Sequence, residues 1–263
     1  MSDALLLRED LGAVARLTLN SPGNLNALSD AMLAEMKAAL SAIAADPSVR
    51  VVILRGAGKV FCAGHDLKEM QAGRQAEDKG AAYFKSLFDR CAEVMTAITA
   101  LPQPVIAEAH GIATAAGCQL LASCDMAVAA EGTRFGVNGV NIGLFCSTPM
   151  VALTRAVAPK VAFEMLTTGA FIDAQRAREV GLINRVVPAE TLGDETLELA
   201  QTLAAKLSVA LRLGKRGFYD QLGLSVTDAY AQAGQAMLAN MLEPETDKGI
   251  SAFLEKRKPD WKA

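Results

Sequence analysis

Two stretches of this sequence combine glycine and small residues in a way that can present bare backbone amides to a ligand. The first is Pro104–Leu120. Its apolar run Val105–Ala107 reads as a buried strand, Gly111 punctuates it, and Ala113–Gly117 carries no bulky side chain. Leu120, Leu121 and Cys124 then fall at helical spacing. Strand, small-residue turn and helix together bring the N–H groups of a helix N-terminus up to a ligand atom bearing negative charge. The second stretch, Phe61-Cys62-Ala63-Gly64-His65-Asp66-Leu67, follows another apolar strand and again sets a glycine before an exposed amide. Two such turns can form a two-donor oxyanion hole. Close helix–strand packing accounts for small residues equally well, and spacing alone favours that plainer use.

The elements that position these turns are readable from periodicity. Val14–Leu19 alternates, with Ala15, Leu17 and Leu19 on one face. Ser21–Asn24 is a turn, and Ser29 or Asp30 caps a helix with the stripe Met32, Leu33, Met36, Leu40 and Ile43, stopped by Asp46-Pro47. Val49–Leu54 is apolar apart from Arg50, as in a strand buried on both faces. Gly56-Ala57-Gly58-Lys59 lacks the glycine spacing and the following Ser or Thr of a phosphate loop. Met70–Gly80 reads as a surface loop, and from Ala81 a helix buries Phe84, Leu87, Phe88, Cys91, Met95 and Ile98. Met126–Ala129 reads as a strand and Arg134–Gly136 as a turn. Pro149–Val157, Val161–Leu166 and Ala174–Val180 are helical in pattern, the last closed by Gly181, and Leu182–Val187 is a strand. From Glu190 the composition turns to helix formers, with helices predicted at Glu190–Leu207, Ala210–Gln221, Val226–Met241 and Asp247–Arg257. The chain thus divides into repeated strand–strand–helix units over 1–189 and a helical region over 190–263.

Composition narrows the function classes. The 263 residues are 51% hydrophobic and 21% charged, ordinary for a globular protein. A formal charge of −3 argues against general nucleic-acid binding. No run of about 18 uncharged apolar residues suggests a membrane span. Five cysteines without a CxxC pair read as buried thiols in a reducing compartment. With an acidic start, Met1–Glu9, too short for a leader, the expectation is a cytoplasmic protein. Two histidines and scattered cysteines offer no metal spacing.

The paired turns resemble those of the crotonase superfamily, the enoyl-CoA hydratases and isomerases. The resemblance runs from Leu17-Thr18-Leu19-Asn20 through Asn26-Ala27-Leu28-Ser29 to Phe253-Leu254-Glu255-Lys256-Arg257. The segment Gly139–Pro149 is most similar to the subgroup called enoyl-CoA hydratase domain-containing protein 3. The resemblance implies an α/β crotonase (ClpP-like) fold, a right-handed spiral of ββα units with a helical C-terminal trimerisation region. It implies a homotrimer or a dimer of trimers, and a CoA thioester as substrate or ligand with no further cofactor. It assigns the two amides that polarise the thioester carbonyl to His65 and Ala116. It makes Leu25, Ala63, Asp66, Leu67 and Lys68 neighbours of CoA. Phe253 and Lys256, on what is otherwise an ordinary basic helix end, become contacts to CoA in a neighbouring subunit.

One departure from the family matters more than any match. Hydration of an enoyl thioester needs a stabilised enolate oxygen, a base for water and an acid for the α carbon. The hydratases supply the last two from glutamates at the positions of Gln119 and Gly139, and neither residue carries a proton. Positioned acid–base groups contribute about 10²–10⁴-fold. Efficient hydration is therefore doubtful, although glutamates placed at both positions are expected to raise it. Glu108, Asp66 and His65 are candidate replacements, each with a plain alternative: a hydrogen-bonded carboxylate, a helix cap, and a side chain valued only for its amide. Cys146 and Ser147 raise a thioesterase reading, which needs an adjacent base. His110 reads as a packed core histidine. Three functions compete: thioester chemistry other than hydration, non-catalytic acyl-CoA binding or regulation of fatty acid metabolism, and thioester hydrolysis.

Overall fold

The computed structural model describes residues 4–261; the start of the segment Met1–Glu9 lies outside that range. A six-stranded sheet forms the frame. Its edge strand β1 (Leu6–Leu11) pairs antiparallel with β2 (Val14–Leu19), and β3 (Val51–Gly56), β4 (Val105–Ala109), β6 (Met126–Ala130) and β9 (Arg185–Val187) follow in parallel. Parallel strands are covered on both faces, so they read as continuous apolar runs. Ala15, Leu17, Val52, Leu54, Ala107 and Ala129 face the main core. Val14, Val51, Ile53, Ile106 and Val128 face the other side, under Leu192, Leu199 and Ala200 of α8 (Leu192–Ala204).

The main core is filled by α1 (Asp30–Ala44), α3 (Ala81–Ala100) and α4 (Ala116–Ser123). The α1 stripe is buried as periodicity predicts, and the Ser29 hydroxyl caps the helix by accepting the Met32 N–H. A second, three-stranded sheet joins β5 (Ile112–Thr114), β7 (Arg134–Gly136) and β8 (Ile172–Asp173). Each turn of the chain thus runs from the large sheet to the small one and on to a helix, as in β4–β5–α4. This is the α/β architecture with a parallel sheet and a helical C-terminus that the resemblance implies.

Two local expectations are overturned. Arg134–Gly136 is strand β7 rather than a turn, because three residues are too few to show alternation. The start of Met70–Gly80 is not loop: α2 (Leu67–Gly73) has no buried residue and hence no stripe, but the Asp66 carboxylate accepts from the Lys68 and Glu69 N–H groups and starts it, and the loop proper begins after Gly73.

The remaining helices are α5 (Pro149–Ala156), α6 (Pro159–Thr168), α7 (Ala174–Glu179), α9 (Ser208–Gln221), α10 (Val226–Met241) and α11 (Pro244–Leu254). One buried polar cluster ties α9 to the sheet. Lys215 Nζ lies 2.7 Å from Asp125 Oδ2 and donates to the Ile98 and Gln103 carbonyls at 2.9 and 3.0 Å. Asp125 also accepts the Val105 N–H and the Tyr219 hydroxyl. Burial pulls the Lys215 ammonium below the usual lysine range, against the opposing pull of Asp125. Beyond this anchor the helices expose large apolar side chains, including Val226, Tyr230, Met237, Leu242 and Phe253.

Removing one partner from such a pair leaves an uncompensated buried charge. Lys215→Ala is expected to lower stability by about 3–5 kcal/mol. Urea unfolding at fixed protein concentration checks this; an unchanged midpoint would show that α9 is held by apolar packing alone.

Candidate active site

The site begins with a strained turn. Leu25 (φ 52°) and Asn26 (φ 54°) are both in the left-handed region, where non-glycine residues are uncommon. Asn26 is fully buried and holds the turn. Its side-chain NH₂ donates to the Ala57, Val60 and Phe61 carbonyls at 2.8, 2.9 and 3.2 Å, and its Oδ1 accepts the Ser21 N–H. The chain leaving β3 is thereby bound to the Leu25 loop. The Ala63 N–H donates to the Leu25 carbonyl, and the Leu28 N–H to that of Gly64. Gly64 (φ 95°) then turns the chain into His65.

The second turn is locked to the first. Cys62 bridges in parallel to Ala113, with its N–H donating to Ile112 and its carbonyl accepting from Thr114. Ala115 follows with φ 50° and ψ −121°, a conformation that costs a non-glycine residue about 1–3 kcal/mol. The Ala115 N–H donates to the Gly136 carbonyl, and the next residue, Ala116, opens α4. A Cβ on Gly117 would overlap the Cys62 carbonyl, and one on Gly64 would sit 3.2 Å from the Ala116 nitrogen. The structure therefore brings His65 and Ala116 side by side. Neither N–H donates to a protein acceptor among the described residues.

The side chains around this pair sort clearly. His65 Nδ1 lies 3.4 Å from the Leu28 carbonyl, its ring packs against Phe88, and Nε2 is buried with no partner. Burial pulls the His65 pKa down, so the imidazole is neutral. Asp66 is the cap of α2: burial pushes its carboxyl up, but bonds from Asn24, Lys68 and Glu69 outweigh that and hold it below the usual range. Glu108 is 2% exposed, on the α8 side of the sheet with Ile106, and pairs with Arg55 at 3.2 Å. It is thus across the sheet from Ala109 and Ala116, which belong to the main core. His110 is not a core histidine; it is half-exposed, with Nε2 2.9 Å from the Gly58 carbonyl.

Gln119 and Gly139, the positions that the resemblance pairs with the hydratase glutamates, differ in their surroundings. Gln119 is buried one helical turn after Ala116. Gly139 has no positive φ; space is what keeps it glycine. A Cβ there would meet the Leu144 carbonyl at 2.5 Å and Cys146 Sγ at 2.9 Å. Cys146 is buried, and burial pushes its thiol up despite a hydrogen bond from the Gly139 backbone. Ser147 is exposed, and among the described residues neither histidine hydrogen-bonds to Cys146 or Ser147.

Leu25, Ala63, Asp66, Leu67 and Lys68 gather around the first turn, joined by the Ala63–Leu25 bond and by Asn24 Nδ2 to Asp66 at 2.6 Å. Leu25, Leu67 and Lys68 are exposed there. Phe253 and Lys256 stand apart at the end of α11, with no hydrogen bond or ion pair to that cluster among the described residues. Sequence reasoning missed Asn26 as the clasp and Ala115 as the strained residue. A buried asparagine beside a turn leaves no periodic signal, and alanine is not a residue that advertises positive φ.

A family model described as enoyl-CoA hydratase/isomerase matches residues 9–263. Enoyl-CoA hydratase domain-containing protein 3, mitochondrial, of Xenopus laevis is 45% identical over 256 residues, 97% of this chain and 85% of the relative. A crystal structure of enoyl-CoA hydratase from Mycobacterium smegmatis superposes with TM-score 0.94 at 52% identity, covering 98% of both chains. The structure of human enoyl-CoA hydratase domain-containing protein 3 gives 0.92 at 43% identity, covering 98% of this chain and 100% of that one. The similarity to that subgroup holds. The cytoplasmic expectation does not: the Xenopus relative is a mitochondrial protein by name. The thiols were a poor guide, because all five are buried and need no particular compartment to stay reduced.

His65 makes stability depend on pH. A histidine whose folded pKa is depressed binds fewer protons than the unfolded chain, so stability rises with pH. Its contribution is fully present above the unfolded pKa of about 6.5 and is lost as pH falls toward the folded value. Urea titrations at pH 5 and 7.5 are expected to show a smaller pH effect in His65→Gln than in wild type; equal effects would mean that His65 is free to protonate in place.

Proposed function

The chain belongs to the enoyl-CoA hydratase/isomerase family, and we propose that it binds an acyl-CoA thioester with the carbonyl oxygen between the His65 and Ala116 N–H groups. One observation carries the reading: two adjacent amides have no protein acceptor, and the strained Ala115 fixes one of them. Preorganised donors of this kind stabilise charge that develops on an oxygen, each worth about 10²–10³-fold. Thioester enolates develop such charge. The reaction class that fits is one that runs through an enolate without adding water, such as double-bond isomerisation or decarboxylation. Leu25, Ala63, Asp66, Leu67 and Lys68 are the proposed CoA neighbours on the same subunit. Phe253 and Lys256 serve the site of a neighbouring subunit in a trimer or dimer of trimers, a reading supported by the exposed apolar side chains of α9–α11.

A second reading, an acyl-CoA binder without turnover, draws on Gln119 and Gly139. Hydrolysis through Cys146 or Ser147 is disfavoured, since a nucleophile needs an adjacent base and, among the described residues, neither histidine hydrogen-bonds to them. Asp66, Glu108 and His65 are equally poor substitutes for the missing carboxylates. The first is a cap, the second lies across the sheet, and the third is neutral against Phe88.

Titration calorimetry with a nonhydrolysable acyl-CoA is expected to detect binding, and silence across short and long chains would refute the reading. Crotonyl-CoA hydration is expected to fall at least about two decades in kcat below a two-glutamate hydratase; ordinary hydratase rates from a mass-verified sample would point to other proton-transfer groups. Gln119→Glu alone should raise hydration by roughly tenfold or more. Adding Gly139→Glu should give no further gain, contrary to the expectation from sequence, because its side chain meets Leu144 and Cys146. A larger rate in the double variant would show that the 139–146 loop can open.

A further inference from the structure

We propose that Glu69 is a positioning residue of this site, an inference that rests on the thioester reading above: its carboxylate ties α2 to the start of α1 and so aims the His65 N–H that precedes α2.

The helix that leaves the first amide turn has little apolar packing to fix it. α2 contains no buried residue, and half-buried Met70 is its one side chain packed against the main core. Its sequence start, Asp66-Leu67-Lys68-Glu69, has the spacing of a capping box, in which the glutamate returns to the N–H of its own cap residue. The structure sends that glutamate elsewhere. Glu69 Oε2 accepts the Asp30 N–H at 2.8 Å, across 39 residues of sequence. Asp30 is the first residue of the 15-residue helix α1, whose leading amides carry partial positive charge and attract a carboxylate. A hydrogen bond to an ionised acceptor is about twice as strong as one between neutral groups.

The same short segment also holds the turn itself. Leu28, two residues before Asp30, bridges in parallel to His65, and its N–H donates to the Gly64 carbonyl at 2.7 Å. Leu28–Asp30 therefore touches the amide turn at one end and α2 at the other. Asp30 is fixed in turn by α3, with Oδ1 2.5 Å from Arg90 Nη2. The far end of α2 lies under the Tyr83 ring, where a Cβ on Gly73 would stand 2.3 Å from Cδ1. The Leu28 bond sets where the turn lies, and Glu69 sets the direction in which the chain leaves it. Pinned on both sides, the His65 peptide plane cannot rotate. Without Glu69 the exit keeps the bond from Asn24 Nδ2 to Asp66, a tie to a loop side chain that does not fix the direction of a helix.

Titration calorimetry of the full chain tests this with butyryl-CoA and with S-butyl-CoA, a thioether of the same length that lacks the carbonyl oxygen. Two net hydrogen bonds to the carbonyl give roughly twentyfold tighter binding of butyryl-CoA in wild type. Glu69→Ala is expected to cut that ratio roughly fivefold, the worth of one bond. Glu69→Gln keeps an oxygen that accepts the Asp30 N–H and is expected to hold the ratio within about twofold of wild type. A role confined to stability would weaken both ligands alike and leave the ratio unchanged. An unchanged ratio in Glu69→Ala, or an equal loss in Glu69→Gln, would overturn the proposal. Should Glu69→Ala not fold, Glu69→Ser, whose hydroxyl is too short to reach Asp30, takes its place. A carbonyl preference that survives in these variants sinks this inference alone. A wild type that binds neither ligand, or both equally, sinks the thioester reading and this inference with it.

Discussion

The site depends on how closely two chain segments pass. The Cys62 carbonyl lies against Gly117 so tightly that no side chain fits between them, and Gly64 stands against Ala115 and Ala116. That approach is held by the parallel bridge from Cys62 to Ala113, an extension of the small sheet. It brings amides from residues 65 and 116 together, each at the mouth of a different strand–turn–helix unit. Ligand sites of parallel α/β sheets lie outside the carboxyl ends of the strands. Here the first turn follows β3, and the second follows β5, just beyond the end of β4.

Close approach alone does not aim an amide. Three non-glycine residues, Leu25, Asn26 and Ala115, hold positive φ angles around the site. Such strain persists only where the surroundings over-determine it. Asn26 over-determines the first turn with four hydrogen bonds, and the Ala115 N–H is tied to Gly136. Among the described residues, the two other non-glycine positions with positive φ, Lys79 and Lys256, are exposed and away from the core. A mobile loop could not hold two donors in fixed relation, and preorganisation is what makes such donors effective.

Gln119 and Gly139 differ in the room around them. Gln119, which the resemblance pairs with one hydratase glutamate, is close to glutamate in shape and is buried on α4. At Gly139 the space itself is gone, taken by the Leu144 carbonyl and Cys146. The Thr114 hydroxyl donates to Asn138 Oδ1 at 2.6 Å, which ties this loop to β5 and stiffens it. The amides of His65 and Ala116 are thus held in place, while neither Gln119 nor Gly139 carries a side chain that transfers a proton.

By itself the sequence determined the frame. Alternation in Val14–Leu19, the stripe Met32–Ile43 and the apolar run at Val51–Leu54 are consequences of burial, and burial imposes a period that can be read along the chain. The two small-residue turns were legible because a close approach excludes bulky residues from consecutive positions, whereas the amides of His65 and Ala116 were assigned by resemblance to the family. The absence of carboxylates at Gln119 and Gly139 was also plain from residue types. Tertiary structure alone decided the rest. Strands β5, β7 and β8 are two or three residues long and exist because neighbours distant in sequence pair with them. Whether Glu108 faces the site depends on which side of β4 meets α4, and register, not composition, puts it across the sheet beside Arg55. The clasp at Asn26 and the strain at Ala115 come from contacts between distant stretches of chain, and the filled space at Gly139 from a loop that folds Leu144 and Cys146 back onto it; no local pattern encodes these distances.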